Sequence, residues 1–186
     1  MRTSTARVAL IIALFGILTV PAAAQSPASA PFDVVKAPHP EMRRLIADAH
    51  TRSATFRDLV DKIRASGWVV FVQAGLCPET TALGCLTDYV GIYEGSRYVR
   101  AIVNYQGRHP DNVMATIAHE LQHAVEVVLA PNVVDSRDLR ELFRTIGRQG
   151  VRWYSGTTYD TVEARVVEGK VRRELDADRK RARETR

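Results

Sequence analysis

Beyond residue 18 the chain lacks any apolar run long enough to cross a bilayer, which excludes a bundle of transmembrane helices. Cysteine is scarce, with 2 in 186 residues, and no second Cys pair or neighbouring His accompanies them, so a Cys-based zinc site is excluded. Internal repeats are missing, which argues against a solenoid. A strong charge of one sign is missing too. The formal net charge is +5, and much of it lies between Lys170 and Arg186, where Arg172, Arg173, Arg179, Lys180, Arg181, Arg183 and Arg186 alternate with Glu174, Asp176, Asp178 and Glu184. Such mixing reads as a solvated helix end fraying into a charged tail at 179–186, so no nucleic-acid partner is expected.

The amino terminus carries Arg2 and Arg7 ahead of an apolar run from Val8 to Leu18, followed by Pro21, Ala22, Ala23, Ala24 and Gln25. A basic start, a short apolar stretch and small residues before a cut are the parts of a secretory signal peptide, assigned to 1–24. The mature protein is therefore expected outside the cytoplasm, periplasmic or secreted, with no stable membrane anchor. Removing Arg2 and Arg7 lowers the net charge by two. Residues 25–40, dense in Pro, Ser and Ala, read as a flexible leader. The rest suits one domain, 41–178, with a single core. In an oxidising compartment Cys77 and Cys85, set among Gly75, Pro78 and Gly84, are expected to form a disulfide.

Met42, Leu45, Ile46 and Ala49 recur at helical spacing, as do Phe56, Leu59, Val60 and Ile63 before Gly67, so two helices come first. Residues 68–72 read as a buried strand; 86–92 and 98–105 read as two more, joined by a turn at Glu94, Gly95 and Ser96. A helix is expected over 110–130, opened by Pro110 and ended before Pro131, another over 135–146, and a last one from about Tyr159 toward the tail. The expected class is α+β: a small, mostly antiparallel sheet with helices at both ends.

Chemistry concentrates in the middle of the 110–130 helix, at Ile117-Ala118-His119-Glu120-Leu121-Gln122-His123-Ala124. At about 3.6 residues per turn, His119 and His123 stack on one face, close enough for both imidazoles to bind one tetrahedral zinc. Glu120, one position round, can reach a metal-bound water and act as general base. Val113, Ile117, Leu121, Ala124 and Val128 form an apolar stripe nearly opposite the histidines, so the stripe packs and the rings face a cleft.

A zinc ion needs a third protein ligand. Glu126 lies seven positions after His119, about 10 Å along the axis, and suits a supporting or surface position instead. Asp160 and Glu163, read as lying on one helical face, are the two candidates, and which of them binds is left open. His39, His50 and His109 fall in no ligand-spaced pattern and read as surface residues.

The HExxH helix followed some tens of residues later by an acid-bearing helix resembles the gluzincin zinc metallopeptidases. It is also similar to small exported bacterial proteins carrying Ala-His-Glu-Leu-Gln-His-Ala. The match covers that helix strongly and residues 159–175 weakly. In those relatives an aromatic residue precedes Glu-Thr-x-Ala-Ala, and the Glu is the third ligand. Here Asp160 falls on that Glu and Glu163 replaces an Ala, a departure that weakens the expectation of full activity. The resemblance implies a zincin-like fold, Zn2+, and a peptide or protein substrate paired along an edge strand, for which 98–105 is the natural candidate. Tyr159, beside the proposed acid, is a candidate oxyanion stabiliser. The competing reading is a catalytically weak or inactive zincin-like metal-binding protein of the cell envelope.

Overall fold

The computed structural model describes residues 31–78, 82–153 and 156–185. The expected signal peptide, 1–24, and the start of the expected leader lie outside the described residues. The fold begins earlier than residue 41, because a short 3-10 turn at Pro31–Asp33 leads into strand β1, Val35–Lys36. Val35 is fully buried and pairs with Val70, so two residues of the expected leader, Val35 and Lys36, belong to the sheet.

Helix α1, Pro40–Arg52, starts where His39 Nδ1 accepts from the Glu41 N–H. Helix α2, Ala54–Ser66, starts where the Ser53 side chain accepts from the Phe56 N–H, and it stops at Gly67, whose φ of 74° is left-handed. Their apolar faces are the ones expected, and Leu45, Ile46, Phe56 and Ile63 are at most 1% exposed.

The main sheet consists of β1, β2 (Val69–Ala74), β3 (Gly84–Leu86), β4 (Gly91–Tyr93) and β5 (Ser96–Val103). Its order is β1-β2-β5-β3, with β4 also on β5. The first three strands run parallel, whereas β3 and β4 run antiparallel to β5, so the sheet is mixed and not mostly antiparallel. The reason is the α1–α2 crossover, which returns the chain in the same direction from β1 to β2. The expected edge strand, β5, is consequently interior, and the edge on its side is made by β3 and β4. The single strand expected over 86–92 is split, as the Val90 N–H turns away to the Ser136 hydroxyl. Glu94 and Gly95, at φ 49° and 81°, make the two-residue turn between β4 and β5.

Cys77 and Cys85 are joined with Cα atoms 6.0 Å apart, tying the loop after β2 to β3. This bond agrees with an oxidising, exported location. Among the described residues no helix is long and apolar enough to cross a membrane.

Helix α3, Pro110–Val128, opens with His109 Nδ1 accepting from the Asp111 N–H. It is more enclosed than the two-faced pattern implied. Besides Val113, Ile117, Leu121 and Ala124, it buries Met114, Ala118, Val125 and Val127, because the sheet, α1 and α2 cover one side and α5 covers another. Helix α4, Ser136–Ile146, is capped by Asp135 and buries Leu139 and Phe143.

Two strands then form a hairpin that the sequence reading had passed over, β6 (Arg148–Trp153) and β7 (Gly156–Asp160). Helix α5, Val162–Glu184, starts after Thr161, whose hydroxyl accepts from the Ala164 N–H. Tyr159 and Asp160 are thus strand residues, and Asp160 and Glu163 share no helical face. The expected tail at 179–184 is still helix, and Arg179 is paired with Asp111. Among the described residues the result is an α+β domain of five helices and a small mixed sheet. Arg52 locks three helices together by contacting Asp48, Asp111, Asp178 and the Leu175 carbonyl.

Candidate metal centre

Two elements meet at one point. Helix α3 supplies His119 and His123, one turn apart with ring centroids separated by 4.9 Å. The last residue of β7 supplies Asp160. Its Oδ1 lies 3.3 Å from His119 Nε2 and 3.7 Å from His123 Nε2. Ligand atoms around a tetrahedral ion with bonds of about 2.1 Å stand roughly 3.4 Å apart, so these separations are those of donors sharing one ion. Asp160 Oδ1 is buried and accepts no hydrogen bond. A buried carboxylate oxygen left without a donor costs on the order of 1–3 kcal/mol, a penalty that a cation at this point would relieve. His119, His123 and Asp160 together could hold a metal ion.

The presentation of Asp160 follows from its neighbours. Its Oδ2 accepts from Arg165 Nε at 2.6 Å, which leaves only Oδ1 directed at the imidazoles. Thr161, next in the chain, donates its hydroxyl to Glu126 Oε1 at 2.7 Å while capping α5. Glu126 Oε2 in turn accepts from His123 Nδ1 at 3.0 Å. A carboxylate acceptor on Nδ1 places the proton there and frees Nε2 for a ligand. Glu126 is therefore a supporting partner of His123, and Phe143 from α4 closes the other side of that ring edge-on at 5.3 Å.

Glu120 is 3% exposed, and its Oε2 has no hydrogen-bond partner. Burial pushes its pKa up to about 7; the charges of His123 and His119 pull it down, and those of Asp160 and Glu168 raise it. Glycine at position 84 makes room for it, since a Cβ there would stand 2.6 Å from Glu120 Oε1. Strand β3 consequently runs directly against the Glu120 carboxylate. For His119, burial lowers the pKa, but Glu168, Glu120 and Asp160 outweigh it and the net shift is upward.

The remaining expected residues separate from this group. Glu163 is exposed in the first turn of α5. Tyr159 packs against the hydrophobic core, and because successive strand residues alternate, its ring and the Asp160 carboxylate leave β7 on opposite sides. His39 and His109 cap α1 and α3. His50 is buried rather than on the surface, and burial lowers its pKa.

One participant was not foreseen. Glu168 Oε2 is 3.2 Å from His119 Nδ1, at ion-pair distance though off the line of a hydrogen bond, and Arg172 holds its other oxygen at 2.6 Å. The contact with His119, chiefly, keeps the Glu168 pKa below the usual carboxylate value. A signal for it existed: Ala164, Glu168, Val171 and Leu175 fall on one face of α5, and the other three are fully buried. A carboxylate on an apolar stripe needs a partner.

Comparison of the chain with family models, curated proteins and solved structures finds no match.

Proposed function

We propose that this protein is an exported zinc-dependent hydrolase, a zincin-like metallopeptidase of the gluzincin kind, acting on peptide bonds. The observation that carries the proposal is the convergence of His119 Nε2, His123 Nε2 and Asp160 Oδ1, with a buried carboxylate, Glu120, next to His119 on α3. Two imidazoles and one carboxylate suit zinc. Three protein donors leave a fourth position open, which is the arrangement of catalytic sites rather than of closed structural ones. Arg165 supports the same reading by engaging Asp160 Oδ2, so that the aspartate offers a single oxygen.

Bound zinc would supply Lewis acidity, polarising a substrate carbonyl and making water easier to deprotonate. Glu120 is suited to move the proton, because it is a buried carboxylate next to His119 whose Oε2 has no hydrogen-bond partner. It takes a proton from the attacking water as the C–O bond forms. It returns that proton to the amide nitrogen as the C–N bond breaks. The substrate would lie along β3, the last strand on that side of the sheet, whose Gly84 stands against Glu120.

A second reading, a metal-binding envelope protein with little or no turnover, is favoured by the low side-chain exposure of His119 and His123, 15% and 6%. The Glu120→Gln variant separates the two. The hydrolase reading expects peptide-library cleavage by the parent protein, an undiminished zinc content in the variant, and activity lower by about 10²- to 10⁴-fold. Zinc at full stoichiometry with no cleavage by the parent protein would establish the second reading instead.

A further inference from the structure

Each of the two metal-facing imidazoles has a carboxylate on its far side, hydrogen-bonded in one case and at ion-pair distance in the other. His123 Nδ1 meets Glu126 Oε2 at 3.0 Å, and His119 Nδ1, a buried nitrogen, has Glu168 Oε2 at 3.2 Å. Neither carboxylate is loose. Glu126 is held by the Thr161 hydroxyl at 2.7 Å and faces Gln122 Nε2 at 3.4 Å; Glu168 is held by Arg172, whose other nitrogen donates to Asn112 Oδ1 at 2.8 Å. The two anchors differ in origin. Glu126 belongs to the same helix as the histidines, whereas Glu168 comes from α5 and is tied back to the first turn of α3 through Arg172 and Asn112.

We infer that Glu126 and Glu168 are paired positioning residues that hold His123 and His119 with Nδ1 protonated and Nε2 directed at Asp160. Because Glu126 also binds Thr161, one carboxylate sets both a ligand ring and the chain position next to the third ligand. Because Glu168 rides on α5, the packing of α5 on α3 sets the orientation of His119. Metal affinity is therefore coupled to the docking of α5. An ionised carboxylate only accepts hydrogen bonds, so Glu126 fixes the proton of His123 on Nδ1, and the charge of Glu168 beside His119 Nδ1 favours the same tautomer there. The inference rests on the metal-site reading above and extends it to residues that touch no metal.

The test is metal affinity, measured by competition of Zn2+ against a chromogenic chelator on the full chain. Glu126→Ala, Glu168→Ala, Glu126→Gln and Glu168→Gln are compared with the parent, with Glu163→Gln as an exposed control and His123→Ala as the loss-of-site control. Outer-sphere partners of this type typically contribute about 10- to 100-fold in affinity. Both alanine variants should lose that much, the glutamine variants less because an amide oxygen still accepts, and Glu163→Gln nothing. Cobalt substitution adds a readout that a merely structural role would not move, a changed visible spectrum in the alanine variants while the metal-free proteins keep the parental circular dichroism. Alanine variants that bind zinc within twofold of the parent, with an unchanged cobalt spectrum, would overturn the pairing. In that case loss of zinc in His123→Ala would leave the metal site itself standing, and retention there would remove both.

Discussion

At the scale of single residues, the informative positions are those whose environment only one side chain satisfies. Gly84 is the plainest case. A Cβ at this position would approach Glu120 Oε1 to 2.6 Å, Thr116 Cγ2 to 2.8 Å and Glu120 Cγ to 2.9 Å, all shorter than real contacts. Both neighbours lie on buried faces of α3, so any retreat disturbs their packing. Gly84→Ala should therefore destabilise the fold by about 1–3 kcal/mol, the usual range for overpacking, and displace the Glu120 carboxylate. Denaturant unfolding measures the first effect, and an unchanged midpoint would show that β3 moves freely away from α3. The histidine pair and Glu120 were readable from spacing alone, because helical geometry fixes what positions one and four apart can do. The third donor was not. Asp160 and Glu163 differ by three positions, and only the capping bond from the Ala164 N–H to Thr161, which starts α5 after Asp160, separates the converging acid from the exposed one.

At the scale of elements, junctions between helices carry the polar chemistry. Glu174 of α5 accepts from the Ser53 hydroxyl, the Thr55 hydroxyl and the Thr55 N–H, and so closes the first turn of α2. Burial alone would raise its pKa, but these hydrogen bonds outweigh burial and the net shift is downward. The sign follows directly. A carboxylate more acidic in the folded chain than in the unfolded one stabilises the fold above its unfolded pKa, and that contribution is lost as pH falls through the folded value. Glu174→Gln should lower stability at pH 7 and have little effect at pH 3, as read from unfolding midpoints at the two pH values. Equal losses at both would mean that the contact is shape rather than charge. Helices α1 to α3 were legible because their apolar residues recur at period 3.6, with Gly67 stopping α2 and Pro110 opening α3. The β6–β7 hairpin was not, since an isolated two-stranded hairpin leaves no sheet-wide alternation in the sequence. The parallel pairing of β1, β2 and β5 was hidden for a different reason: strand direction depends on the crossover, not on the strand's own residues.

At the scale of the whole molecule, one core and two ties hold the site in place. The first tie is the Arg52 network, which brings the ends of α1 and α5 to the start of α3. The second is the Cys77–Cys85 bond, spanning a sequence separation of 8 beside the strand that covers Glu120. Closing a loop of this length restricts the unfolded chain by about 2–3 kcal/mol. Replacing both cysteines by serine should lower unfolding stability by that amount; a double variant as stable as the parent would show that the loop is ordered without its bond. The disulfide also links the fold to the exported location that residues 1–24 suggested, two observations at opposite ends of the argument. The proposed hydrolase function depends on neither. It depends on whether atoms from α3 and β7, distant in sequence, share one ion.

Metal analysis of the purified chain beside its Asp160→Ala and Glu163→Ala variants measures that sharing directly. The account predicts one zinc per chain in the parent protein, near-complete loss in Asp160→Ala and full retention in Glu163→Ala. Zinc retained in Asp160→Ala, or absent from the parent protein after refolding with excess metal, would contradict it.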